Sequence, residues 1–458
     1  MKVVICGAGQ VGYGIAEKLA SEQNDVSVID SSPQLVNVIR DTLDVRGFVG
    51  HGAHPDVLAQ AGADQADMII AVTLYDEVNM VACQVAHSLF NVPTKVARVR
   101  AQSYLAPQNS NLFSRENMPI DVIISPEIEV GEMVLRRLSL PGAMETVRFA
   151  DDNVIVVGID CHADCPVLNT PLRQLSELFP DLMATVVGVS RDGNVFVPRS
   201  GDMLREGDIA YVCSKRDQVR RMLGIFGHEE PEAKRVIIAG GGNIGSYVAR
   251  HLEKRQIKTK VKIIEQSREK AVRIADELRR TVVLHGSALD QVLLQEADVQ
   301  NTDMIVALTN VDEVNVLSCV MAKKLGCERN LSLLNNSSYP AFAGALGIDT
   351  FVNPRQVTIS KILQHVRRGR IRSVHTLQNG AAEVIEAEAL ETSPLVGRPL
   401  REIEGVEGIR IGAIFRNDTV IKPSGDDTIL AKDRVVIFAV ANKVRQVEQM
   451  FRVSLEFF

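Results

Sequence analysis

Residues 1–20 read MKVVICGAGQVGYGIAEKLA, and residues 234–253 read KRVIIAGGGNIGSYVARHLE. Each joins a short apolar run to a Gly-x-Gly-x-x-Gly loop and then to a segment with helical periodicity. In Gly7-Ala8-Gly9-Gln10-Val11-Gly12 the first glycine permits a tight turn, the second lets backbone approach a pyrophosphate, and the third lets helix and strand pack closely. Unpaired N–H groups at the start of the helix then face the phosphate. The fingerprint is complete only with an acid about 20 positions on, closing the second strand and bonding the ribose hydroxyls. Asp30 closes VSVID, and Glu265 closes VKIIE. A glycine loop alone is a weak signal. One that follows a strand, opens a helix and has its acid predicts a nucleotide site, and an acid at Asp30 favours NAD or an adenine mononucleotide over NADP.

The second loop belongs to a longer repeat. Residues 2–12 align with 235–245 without a gap, His51-Gly52 matches His285-Gly286, and ADMIIAVTLYDEVNMVAC (66–83) matches TDMIVALTNVDEVNVLSC (302–319). Ser125-Pro126 matches Asn353-Pro354, and Pro166-Val167-Leu168 matches Pro394-Leu395-Val396. So many matches in one order make the copy a whole unit, about 230 residues long.

Within each unit, short strand patterns (VVICG, VSVID, MIIAVT, VARVR, DVIIS) alternate with helix-length segments, which predicts βαβ units and a parallel sheet. EIEVGEMVLRRLSLPGA, matched by RQVTISKILQHVRRGRI, reads as a connecting helix. Beyond it come strands separated by turn signals such as Arg191-Asp192-Gly193 and Glu206-Gly207-Asp208, then the helical QVRRMLGIFG. The polar GHEEPEAKR (227–235) is the natural linker. The fold class is therefore α/β: two tandem Rossmann-like parallel-sheet domains, each followed by a small α+β domain. Their expected spans are 1–123, 143–227, 232–348 and 368–453.

Composition narrows the function. A net charge of −6 over 458 residues lacks the basic footprint of a nucleic-acid binder. No apolar run reaches the ~18 residues that span a bilayer, and no secretory leader pattern is visible. Seven scattered cysteines suit free thiols in a reducing compartment.

Further residues cluster at the predicted crevice. Thr73 and Thr309 end strands in AVTLYDEVN and ALTNVDEVN. Thr73 with Asp76 three residues on resembles a capping box; alternatively these strand ends contact ligand at the carboxyl edge of the sheet. Arg98 and Arg100 end the next strand, as phosphate partners or in a surface salt bridge. Their counterparts are Leu334 and Asn336, so the second site has lost both cations and should hold phosphate less firmly.

GAGQVG, VID, HGAH, AVTLYDEVNMVACQVA, ARVR and ISPE together resemble the N-terminal domain of the regulator-of-potassium-conductance family, and PVLNTPLRQL with SGDMLREGDIAYV resembles its C-terminal domain. The resemblance covers essentially the whole chain. It implies a cytoplasmic regulatory subunit, peripheral on the inner membrane of a bacterium, that binds NAD(H) and/or ATP/ADP. It further implies self-association into a ring, a homotetramer, that docks on a membrane potassium transporter subunit (TrkH-like or TrkG-like). The implied nucleotide contacts are Gly7, Ala8, Gly9, Gln10, Val11, Asp30, Thr73, Leu74 and Arg98 in the first unit, and Gly240, Gly241, Gly242, Asn243, Ile244, Glu265 and Thr309 in the second. Relatives place an Asp after the His-Gly pair to contact adenine; Ala53 and Ser287 stand there instead. Glu127 occupies a family position near the phosphates or a cation, and its counterpart is Arg355.

No catalytic residue and no metal site is expected. Cys161-His162-Ala163-Asp164-Cys165 lacks the second ligand pair of a structural metal site and reads as a solvated turn; His51 and His54 read as loop residues. Arg367-Arg368-Gly369-Arg370 with Arg372 reads as a solvated helix face, the alternative being contact with a membrane surface or an acidic partner. The competing function is a soluble NAD-dependent dehydrogenase. Such an enzyme needs a larger substrate domain with a proton donor near the nicotinamide, whereas here a small α+β module follows, and it is duplicated.

Overall fold

The computed structural model describes residues 1–255, 259–336, 338–366, 371–403 and 407–451. The chain opens with strands β1 (Lys2–Cys6), β2 (Asp25–Asp30), β3 (Arg46–Val49), β4 (Met68–Ala71), β5 (Thr94–Arg98) and β6 (Val122–Ile124), interleaved with helices α1 (Gln10–Ser21), α2 (Pro33–Thr42), α3 (Pro55–Gln60), α4 (Asp76–Phe90) and α5 (Pro126–Ser139). The strands pair in parallel in the order β3-β2-β1-β4-β5-β6, with Cys6 opposite both Ile29 and Ala71. The near-continuous apolar runs follow from this arrangement, because helices cover both faces of the sheet. Chain order reverses between β1 and β4, which opens the ligand crevice of such sheets at their carboxyl edge.

The first small domain comprises β7 (Ala143–Phe149), β8 (Val154–Asp160), α6 (Leu172–Leu178), β9 (Ala184–Arg191), β10 (Asn194–Phe196), β11 (Ile209–Lys215) and α7 (Val219–Ile225), with sheet order β10-β9-β11-β8-β7. Asp192 and Gly193 both have positive φ, 50° and 79°, and join β9 to β10 as a two-residue hairpin turn.

The repeat follows. β12 (Arg235–Ala239), α8 (Asn243–Lys254), β13 (Lys260–Glu265), α9 (Arg268–Glu277), β14 (Val282–His285), α10 (Gln291–Glu296), β15 (Met304–Ala307), α11 (Asp312–Lys324), β16 (Arg329–Leu333), β17 (Thr350–Val352) and α12 (Pro354–Val366) form a second parallel sheet, β14-β13-β12-β15-β16-β17. The second small domain has β18 (Ile371–Leu377), β19 (Ala382–Glu388), β20 (Ile409–Arg416), β21 (Thr419–Ile421), β22 (Arg434–Val440) and α13 (Val444–Met450), in the order β18-β19-β22-β20-β21.

The chain divides into two compact units, each taking one segment from either half of the sequence: residues 1–134 with 234–366, and 135–233 with 367–458. The first unit holds the two parallel sheets, whose terminal helices are exchanged. Ile362, Leu363 and Val366 of α12 are buried in one cluster with Val3, Ile5 and Val28 of the first sheet. Reciprocally, Glu132 of α5 accepts a hydrogen bond from the Tyr247 hydroxyl of α8 at 2.8 Å. In the second unit the two antiparallel sheets share a core, with Tyr211 and Phe438 rings 5.8 Å apart.

The arginine run is only partly visible. Arg367, Arg368, Gly369 and Arg370 lie outside the described residues. Arg372 stands on strand β18, where its Nε donates to Glu388 at 3.0 Å, and not on a helix face.

Candidate functional site

The first glycine loop is held by constraints of two kinds. Gly7 has φ +113°, and a Cβ on Gly12 would lie 1.8 Å from the Gly7 carbonyl oxygen, so the protein itself demands both glycines. Gly9 is different. A Cβ there meets nothing within 4 Å. It precedes α1 in extended conformation, and no side chain caps the helix. The free N–H groups of the first turn thus face open space, the arrangement that binds anions.

Asp30 is fixed toward this loop. One carboxylate oxygen accepts Ala8 N–H at 2.7 Å and the other accepts Ser32 N–H at 2.8 Å. It is only partly buried, so lone pairs remain for ribose hydroxyls. Thr73 follows β4, and its N–H and hydroxyl both reach Asn79 Oδ1 at 2.8 Å. The Asn79 amide in turn donates to the carbonyls of Thr73 (3.2 Å) and Arg98 (2.9 Å). Fully buried, Asn79 ties the end of β4 to the end of β5, a role not foreseen in the sequence; its only local signal was recurrence in DEVN. The capping box does not form either: Asp76 accepts the N–H groups of Arg100 and Ala101, at 2.9 and 2.8 Å, and so anchors the loop after β5. Leu74 is strongly exposed.

Beyond β5 and β6 the crevice carries charge. Arg100 Nε donates to Glu127 at 2.9 Å, the salt bridge weighed above. Glu127 is 6% exposed, and its other oxygen is buried without a hydrogen-bond partner among the described residues. Arg98 Nε is likewise buried and unpartnered. Burial, with the like charge of Arg100, draws the Arg98 guanidinium below its usual basicity, against Glu127 and Asp76. Unsatisfied buried polar groups are rare and each calls for an explanation. A phosphate oxygen would accept from Arg98, and a phosphate-bound cation would meet the free Glu127 oxygen, so these residues fit a nucleotide.

The second crevice repeats the backbone and changes the charges. Gly240 has φ +104°, a Cβ on Gly245 would lie 2.0 Å from the Gly240 oxygen, and Gly242 again faces open space. Asn243 and Ile244 open α8 without a side-chain cap. Glu265 accepts Gly241 N–H and Ser267 N–H, both at 2.8 Å. Gly241 stands where the first copy has Ala8, and a Cβ there would come within 2.4 Å of Ile274 Cδ1. Thr309 is pinned by the buried Asn315, and Asp312 accepts the N–H groups of Asn335 and Asn336. The strand register corrects the expected counterparts by one residue. Asn315 donates to the Leu333 carbonyl as Asn79 does to that of Arg98, and Asp312 accepts from Asn335 as Asp76 does from Arg100. Buried Leu333 therefore stands in place of Arg98 and Asn335 in place of Arg100, because one residue fewer separates the two strands in the second copy than the alignment assumed. Where the first has Glu127 the second has Arg355, which lines a cavity of about 480 Å³ with Asn310, Asp312, Glu313, Asn336 and Gln10 of the first loop. Ser287 Oγ is occupied locally, accepting from Leu289 N–H at 3.2 Å. The His51 and His54 rings stack, 4.6 Å between centroids.

Comparison with known proteins agrees with this geometry. The TrkA-N domain matches residues 3–126 and 236–354, and the TrkA-C domain matches 156–227 and 384–452. The Trk system potassium uptake protein TrkA of Azorhizobium caulinodans is 63% identical over the full length of both chains, and that of Halomonas elongata is 40% identical, also over the full length of both. Among solved structures, the GsuK RCK domain aligns with TM-score 0.60 at 17% identity, covering 98% of this chain and 94% of that one. A GsuK channel bound to NAD aligns at 0.59 and 17%, covering 98% and 78%. At that identity the likeness is one of fold. With two TrkA-N and two TrkA-C domains and full-length relatives at this identity, the chain belongs to the TrkA family of Trk system potassium uptake proteins.

Proposed function

We propose that this chain is a nucleotide-binding regulatory subunit of a potassium uptake system, with its principal site in the first crevice. NAD(H) and/or ATP/ADP is the ligand. Backbone N–H groups of Gly7, Ala8, Gly9, Gln10 and Val11 cradle the phosphates, Asp30 accepts the ribose hydroxyls, Thr73 and Leu74 border the crevice, and Arg98 neutralises phosphate charge. In the second crevice the corresponding set is Gly240, Gly241, Gly242, Asn243, Ile244, Glu265 and Thr309. The observation that carries this reading is the opening in front of α1, which Gly9 keeps clear while buried polar atoms of Arg98 and Glu127 stand without partners. Membership of a family named for potassium uptake, and a neighbour in fold that holds NAD, support it.

The partner is a membrane potassium transporter subunit, TrkH-like or TrkG-like, and the chain works as a homotetrameric ring on the cytoplasmic face of the membrane. No helix among the described residues is long and apolar enough to cross a bilayer itself. Regulation requires only that the nucleotide prefer one arrangement of the ring: about 1.4 kcal/mol of differential affinity shifts such an equilibrium tenfold.

Equilibrium titration of the full-length protein with ATP, ADP, NAD and NADH tests the site and ranks the ligands. Gly9→Asp and Asp30→Ala should each weaken binding at least tenfold; unchanged affinity in both refutes the assignment. NADH supplied with a panel of metabolites should bind without turnover, and steady oxidation would favour a dehydrogenase.

A further inference from the structure

The first small domain holds a sulfur–imidazole cluster that its duplicate lacks. Cys161 follows β8, and its N–H donates to the Asp208 carbonyl at 2.8 Å; Cys165 N–H donates to the His162 carbonyl at 2.9 Å, closing a turn that returns the second thiol to the first. The two thiols are close enough for the state of each to shift the other. They are 0% and 4% exposed, so CHADC is not the solvated turn that the sequence suggested. His162 and His228 stack in parallel, with centroids 4.8 Å apart and planes 7° apart. The His228 side chain is 8% exposed. Its Nε2 lies 3.0 Å from the Asp160 carbonyl, which assigns the proton to Nε2. Its Nδ1 is buried without a hydrogen bond among the described residues, as is that of His162; Glu230 stands 3.6 Å from His228 Nδ1.

The second small domain builds the same turn without this chemistry. Ala389 N–H donates to Asp433 at 2.9 Å and Ser393 N–H to Leu390 at 2.9 Å. Ala389, Leu390 and Ser393 stand in place of Cys161, His162 and Cys165. The turn therefore needs neither thiols nor imidazoles.

We propose that Cys161 and Cys165 form a dithiol that a small peroxide converts to a reversible intramolecular disulfide, with His162 and His228 as the polar wall that steadies the reacting sulfur. Cys165 is the attacking group. The neighbouring Cys161 thiol holds it below the usual thiol range, helped by Val167 N–H and the two imidazoles against the cost of burial; Cys161 is raised in turn. The Cys165 thiolate attacks one peroxide oxygen, the O–O bond breaks, and the departing hydroxide takes a proton to leave as water. The Cys161 sulfur then attacks the resulting sulfenic acid, forms the S–S bond and releases a second water with its own thiol proton. Two thiols and one hydrogen peroxide become one disulfide and two waters. The remaining cysteines are buried, and burial pushes Cys327 up to about 11 and Cys6 up to about 12, with Cys83, Cys213 and Cys319 higher still. Thiols so raised react slowly, because the thiolate is the nucleophile.

The test uses the reduced full-length protein, treated near neutral pH with stoichiometric hydrogen peroxide. Remaining thiols are trapped with isotope-coded iodoacetamide and mapped by mass spectrometry. Cys161 and Cys165 should lose alkylation together, at least about tenfold faster than any other cysteine. The chain should lose two hydrogens, and dithiothreitol should restore both thiols. Cys165→Ser should leave Cys161 reduced, and His228→Asn should slow oxidation severalfold while both thiols remain alkylable. Earlier oxidation elsewhere, irreversible sulfinic acid at Cys165, or purified protein whose two thiols are shielded by bound zinc would each overturn the proposal. Trapping on the unmodified chain keeps the result independent of how any variant folds.

Discussion

The two crevices share a backbone and differ in charge. Both glycine loops take the same left-handed first residue, the same contact of the third glycine on the first, and the same open position before the helix. Both acids turn two N–H groups toward themselves, and both buried asparagines lace neighbouring strand ends together. Around this common frame the first copy has Arg98, Arg100 and Glu127, and the second has Leu333, Asn335 and Arg355. The lesson is that fold geometry and ligand chemistry are separable here. The cradle persists because it is also how strand and helix pack; the charges, which packing does not need, have diverged.

The largest effect that would sharpen this contrast is at Gly9. Gly9→Asp puts a carboxylate where phosphate charge is expected, and like charges so placed cost several kcal/mol, so nucleotide affinity should fall about 100-fold. Calorimetric titration reads the loss, and Gly242→Asp should change the dominant binding event far less. An equal loss from both variants would break the asymmetry.

Arg98→Leu, which gives the first site the second site's residue, removes a charge-assisted partner worth about 1.5–3 kcal/mol, so affinity should fall at least about tenfold and become less sensitive to salt. The reverse change, Leu333→Arg, buries an unpaired cation at a position only 3% exposed. It should lower the denaturation midpoint without improving affinity.

Asn79→Ala and Asn315→Ala should destabilise their domains alike, by about 1–3 kcal/mol each, because each leaves buried backbone groups unpaired. Urea denaturation checks this; a large difference between them would show that the frames are not equivalent. The smallest effect is expected from Gly9→Ala and Gly242→Ala. Neither Cβ meets protein, so thermal midpoints should stay within a degree or two of the unmodified chain, about the shift of a few tenths of a kcal/mol. A marked loss of stability would mean that the loops close on themselves and are not open cradles.

The repeat, the glycine loops and the acids closing β2 and β13 were legible in the sequence because their physics is local. A positive φ, a strand-to-helix turn and a carboxylate about 20 residues on are set by neighbours along the chain. Apolar runs bounded by turn residues likewise marked the parallel sheets. What the tertiary structure alone decided depends on partners far apart in sequence. Asn79 looked like another helix residue until its amide met the Arg98 carbonyl. Asp76 looked like half of a capping box until the loop after β5 claimed both its bonds. Arg100 found Glu127, and the burial that left Arg98 Nε unpartnered comes from packing. The placement of α12, which brings Arg355 beside Gln10, arises because this helix buries its apolar face against the sheet from the other half of the chain. Periodicity names the face that must be buried; only the assembled fold chooses what buries it.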